Sequence, residues 1–117
     1  MTAQVKALAA PELKEAEHGV LHVGKLEGPA TGLVHTYPNQ AERDVVTLSV
    51  KTSTGNSFEA DTVVTAAGVG KPVTFAIPKD VFEKKLVPGA SVKLYCTVTD
   101  DAGNSSASPS LTVQLKL

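Results

Sequence analysis

A chain of 117 residues is long enough for one domain that buries its own core, so it needs neither a metal nor disulfides to fold. A formal charge of −1 and a pI near 6.3 argue against a nucleic-acid or anionic-membrane binder, which would carry a basic surface. Valine and threonine recur, tryptophan is absent and no apolar run reaches the length of a membrane span, a mix that favours strands and gives no reason to expect membrane insertion.

The opening "MTAQVKALAAPELKEA" lacks a charged segment followed by a continuous apolar core, so it does not read as a Sec signal peptide. Three settings fit: a cytoplasmic protein, a protein secreted by a non-Sec route, or a module excised from a longer extracellular or cell-surface protein. Cys96 is the only cysteine, so no internal disulfide is possible.

In chain order, residues 1–7 read as a lead-in, residues 2–9 allow a turn or two of helix, and Pro11 resets the backbone. "GVLHV" (19–23) is a strand stopped by Gly24, and "TGLVHTY" (31–37) a second, closed by "PNQ". In "DVVTLSVKT" (44–52) Val46, Leu48 and Val50 share one face, opposite Val45, Thr47, Ser49 and Lys51. "TSTGN" is a turn, and "SFEADTVVTA" (57–66) is extended. After "AGVGKP", the run "PVTFAIP" (72–78) points Val73, Phe75 and Ile77 one way. "KDVFEKKL" (79–86) fits a helical turn crossing between two sheets, with Val81, Phe82 and Leu86 as its apolar contacts. "SVKLYCTVT" (91–99) turns Val92, Leu94, Cys96 and Val98 inward. "SLTVQLKL" (110–117) does the same with Leu111, Val113, Leu115 and Leu117.

About seven short strands punctuated by turn residues predict an all-β, antiparallel β-sandwich over residues 8–117. In combination, "DVVTLSV", "TAAGVGKPVTFAIPKDVF" and "GASVKLYCTVTDDAGNSSASPSLTVQL" resemble bacterial immunoglobulin-like repeat domains, and "APELKEAEHGVLHVGKLEGPATGLVHTYPN" is similar to their lead-in. The resemblance implies an immunoglobulin-like sandwich that spaces, presents or adheres, with no catalytic apparatus or cofactor. Where many members carry a tryptophan this chain has Val50, and where they carry a tyrosine it has Cys96, which implies a smaller core. The partners implied are neighbouring domains, or a protein or glycan met through end loops or an edge strand; the isolated domain is expected to be monomeric. The other reading is a small free-standing protein of this fold that binds a partner directly: a virion or secretion-machine decoration subunit, or a host-directed effector.

Five features invite a chemical reading. Asp100, Asp101 and Asn104 in "TDDAGNSS" offer oxygen ligands for calcium, but no closing glutamate follows, and Asp, Gly and Asn suit a plain turn equally well. His18 and His22 have zinc-like i, i+4 spacing only on a helix, which Gly19 opposes; on a strand they would share a face two pleats apart, with His35 elsewhere. "GVGK" (68–71) is followed by Pro72 and a strand, so it is no phosphate loop. Cys96 on an inward face is a packing thiol. Asn104-Ser105-Ser106 matches a glycosylation acceptor. Tyr37 and Tyr95 are the only tyrosines for stacking on a sugar, so the polar tips "YPNQAER", "TSTGNS" and "DDAGNSSASP" are the expected recognition elements.

Overall fold

Alternation of apolar and polar side chains builds the centre of the molecule, because on a strand every second residue faces the same side. The structure is a computed structural model that describes residues 8–117; the lead-in expected over residues 1–7 lies outside it. Its strands are β1 (Glu12–Leu13), β2 (Val20–His22), β3 (Ala30–Val34), β4 (Val45–Thr52), β5 (Ser57–Val63), β6 (Val73–Ile77), β7 (Ser91–Thr99), β8 (Ser105–Ala107) and β9 (Leu111–Lys116). One short helix, α1 (Lys79–Glu83), separates β6 from β7. Nine strands therefore stand among the described residues where about seven were expected. The additions, β1 and β8, are two and three residues long, too short to show a period in the sequence.

Two sheets form, in the orders β1-β3-β6 and β2-β9-β7-β4-β5, with β8 paired to β7. Every pairing is antiparallel except β2 with β9, which run parallel with Leu21 beside Leu115. The first part of the chain is thus divided between the sheets, β1 lying on one and β2 on the other. Glu17 and Val20 exchange both backbone hydrogen bonds around His18 and Gly19, at φ 52° and 78°. Positive φ at both central residues is the geometry of a tight type I′ reversal.

The sheets close over one core, to which the larger sheet gives Val46, Leu48, Val50, Val92, Leu94, Cys96, Val98, Val113 and Leu115, and the smaller Ala30, Val34, Phe75 and Ile77. The architecture is an all-β sandwich. Each fully buried leucine or isoleucine contributes about 1.5–3 kcal/mol. At Gly32 the sheets come so close that a β-carbon would stand 2.6 Å from Leu48 Cδ2 and 3.2 Å from Ile77 Cδ1. Helix α1 crosses from the smaller sheet to the larger and drives Phe82 fully into the core, with Val81 and Leu86 packed partly against it. Its end is held by Asn56, whose side-chain amide donates to the carbonyls of Val81 (3.0 Å) and Lys84 (2.7 Å).

One inward assignment changes, and one outer residue is covered. Leu117 continues the alternation of β9 but lies beyond the strand and is exposed. Ser49 sits on the outer face yet is buried, its hydroxyl donating to Glu59 at 3.2 Å.

The registers orient the chain. Val34, Val45, Val63, Val73 and Thr99 mark one end, here the upper; Ala30, Thr52, Ser57, Ile77 and Ser91 mark the lower. The chain enters from above, with Glu12 opposite Leu33, and leaves below, with Lys116 beside His22.

Candidate recognition surface

The upper end gathers three connections, residues 35–44, 64–72 and 100–104, and the first two are tied together through their backbones. Tyr37, which the sequence offered as a sugar-stacking surface, is buried instead. Its hydroxyl donates to Asp44 Oδ2 at 2.7 Å, and the backbone N–H of Ala41 donates to the same oxygen at 3.0 Å. Burial, first, and the adjacent carboxylate, second, push the Tyr37 phenol well above its ordinary range, so it stays a neutral donor. Asp44 then passes the restraint on, since its carbonyl accepts from Val64 N–H while Arg43 N–H donates to the Val64 carbonyl, both at 2.8 Å. These bonds carry the β4–β5 ladder one step past its last strand pair.

Within the first connection, Asn39 and Arg43 take left-handed backbone angles, φ 62° and 76°. Asn39 follows Pro38 in a turn closed by Gln40 N–H on the Tyr37 carbonyl, a place where asparagine tolerates that conformation. Arg43 has no such dispensation, and a non-glycine residue there carries about 1–2 kcal/mol of strain. Gln40 clasps the second connection, its amide donating to the Lys71 carbonyl (3.2 Å) and its oxygen accepting from Gly70 N–H (3.0 Å). "GVGK" is thereby spent on loop architecture.

The third connection joins β7 to β8. Asp100 accepts from the backbone N–H of Ala102 (3.0 Å) and of Asn104 (2.8 Å) at one oxygen, and from the Asn104 side-chain amide (3.2 Å) at the other. The carboxylate and carboxamide proposed for calcium are thus turned on their own loop, which reverses the chain. The third candidate, Asp101, points away to Arg43 at 3.8 Å; both are about 71% exposed, so this pair contributes little. The same bond at Asn104 engages the amide of the glycosylation acceptor.

The histidines are scattered. His18 occupies the reversal before β2 and does not share a strand face with His22 as its spacing suggested. His22 borders an open cleft with Glu15, Glu17 and Lys25. His35 stands 3.4 Å from Glu12 in an exposed pair. Among the described residues no three His, Cys, Asp or Glu side chains gather as metal ligands would. Cys96 is fully buried, and burial pushes its thiol up although the Ser108 hydrogen bond opposes this. Its backbone amide donates to Ser108 Oγ at 2.9 Å, and Ser108 N–H returns a bond to its carbonyl at 2.8 Å. Ser108 thus bridges the break between β8 and β9.

The surface above these anchors is largely polar and charged, with Asn39, Glu42, Arg43, Lys71, Asp101 and Asn104 beside the exposed Val63 and Val69. It offers hydrogen-bonding and charged groups, and with Tyr37 buried this end has no exposed tyrosine for stacking on a sugar. Tyr95, the second tyrosine, lies half-buried on the outer face of β7, away from this end. The free edge at β5 carries Glu59 and Asp61, charges that discourage strand addition. No described helix is long and apolar enough to cross a membrane. The sequence marked these loops by their turn residues, but not Tyr37–Asp44, whose one legible sign is an aspartate immediately before a strong strand. Comparison of the chain with family models, with curated proteins and with solved structures finds no match.

Proposed function

We propose that this chain is a non-enzymatic structural and binding module, an immunoglobulin-like domain of a bacterial surface or secreted protein that spaces its neighbours and meets partners through its upper loops. The observation that carries this reading is the strand order. Sheets β1-β3-β6 and β2-β9-β7-β4-β5 follow the order in which immunoglobulin-type sandwiches place their strands, with β1, β3 and β6 facing a sheet centred on β4, β7 and β9. Entry at the upper end and exit at the lower suit a link in a string of domains. The groups best suited to chemistry are occupied structurally: Asp44 anchors a loop, Asp100 closes a turn and the Cys96 thiol is buried.

The test is the size and cellular fraction of the native polypeptide, by immunoblot of the source cells with an antibody to this domain. A band far above 12.1 kDa in the envelope or medium supports the module. A band near 12.1 kDa retires it in favour of a free-standing binding protein.

A further inference from the structure

We propose that copies of this chain associate head to tail, the acidic upper end of one seating on the lysine-rich lower end of the next; the inference deepens the module reading and rests on it. A formal charge of −1 conceals an asymmetry along the strands. At the upper end stand Glu42, Asp61, Asp100 and Asp101, with Arg43 and Lys71 as the only lysine or arginine there among the described residues. Lys51, Lys84, Lys85, Lys93 and Lys116 stand at the lower end; its acids are Glu15, Glu17 and Glu27 at one corner, beside His22 and Lys25, and Asp80 and Glu83 on α1, where Glu83 pairs with Lys79 at 3.6 Å.

The lower-end lysines are arranged against their own interest. Lys51 and Lys93 are direct cross-strand partners on the outer face, and the residues in register on either side are Ser57 and Thr112, which carry no charge to offset them. Like charges directly opposite disfavour a sheet in isolation. The Lys84 carbonyl is bound to Asn56, one residue before Ser57, so the Lys84-Lys85 pair belongs to the same end. Beside it, Leu86, Val87, Pro88 and Leu115 border an open apolar cleft of about 380 Å³, and Val87 is 54% exposed. The opposite end answers with Val63 and Val69, also exposed, among its acids. Each end thus offers apolar surface framed by charge of opposite sign. Upper and lower patches differ, so the contact is heterologous and strings copies in a line rather than closing a pair.

Sedimentation velocity of the whole chain over a concentration series tests this, at about 0.01 M salt, where charges act over about 30 Å, and at about 1 M, where they act over about 3 Å. The expected result is a weight-average mass that climbs from 12.1 kDa toward twice that value and beyond at low salt, and falls back at high salt. Lys84→Glu with Lys85→Glu, and separately Glu42→Lys with Asp101→Lys, each abolish the rise, and mixing the two variants restores it. Circular dichroism and melting confirm that both variants fold. A mass of 12.1 kDa at every concentration and salt overturns head-to-tail pairing, as does association that survives both reversals. Either result leaves the module reading to its own test, the size of the native polypeptide.

Discussion

Replacing Tyr37 with phenylalanine removes one oxygen atom and keeps the ring in place, so it isolates the bond that pins the first upper loop. That bond is 2.7 Å long, ends on a carboxylate that is 1% exposed, and joins a loop to the first residue before β4. Hydrogen bonds to charged groups contribute about 1.5–3 kcal/mol, and a buried carboxylate deprived of a donor retains its desolvation cost. Tyr37→Phe should therefore lower the urea-unfolding free energy by about 1.5–3 kcal/mol, equivalent to several degrees in Tm. The pH dependence gives an independent reading. Because the folded-state phenol is raised above 10.0, the stability it contributes is complete below that pH and is lost as the pH climbs toward the raised value. The loss proceeds at no more than about 1.4 kcal/mol per pH unit. The gap between wild type and variant should thus be constant below about pH 9 and narrow above about pH 10. Tyr95→Phe, whose hydroxyl has no partner among the described residues, is the control and should change little. A Tyr37→Phe loss below about 0.5 kcal/mol, or a gap that stays constant through the alkaline range, would refute the argument.

Three further outcomes follow from the geometry. Val46→Asp, Phe75→Asp and Leu94→Asp should each abolish folding by burying an unpartnered charge, measured by loss of the cooperative melt, whereas Thr47→Asp should fold. Thr47 lies directly opposite Asp61, so Thr47→Asp should still cost about 0.2–1 kcal/mol and Thr47→Lys should be the more stable of the two; reversed tolerances between the faces would mean a register wrong by one residue. Gly32→Ala should cost about 1–3 kcal/mol in denaturant because its β-carbon meets Leu48, and a neutral effect would show the sheets to be farther apart. Millimolar calcium, the range in which extracellular modules bind it, should leave Tm unchanged, while Asp100→Ala should lower stability by about 1–2 kcal/mol; a calcium-dependent rise in Tm would return Asp100 and Asp101 to a metal site.

The core strands were legible because burial imposes period two on long runs: Val46-Leu48-Val50 and Val92-Leu94-Cys96-Val98 are all buried as their alternation required. Alternation reports the local face and nothing about the distant partner, so neither the parallel pairing of β2 with β9 nor the division of the first strand between sheets was visible. Period also breaks down where context intervenes. Leu117 keeps the alternation past the end of β9 and is exposed, and Ser49 is covered on a face that is otherwise wet. At the upper end, turn residues identified the loops as loops. Turn residues do not say which polar side chain closes the turn: Asp100 bonds to Ala102 and Asn104 of its own loop, and Tyr37 to Asp44 seven residues on, so both are held within their own connection. The scattered histidines reflect the placing of strands that are distant in sequence.

The immunoglobulin-like reading stands on the divided first strand, and nuclear Overhauser contacts in the isotope-labelled chain test it most directly. The account predicts backbone contacts between Val20–His22 and Gln114–Lys116 in parallel register, with Leu21 beside Leu115, together with slowed amide exchange across that edge. Contacts placing residues 20–22 in an antiparallel hairpin with β3 would give one undivided first strand in a single sheet, and would contradict it.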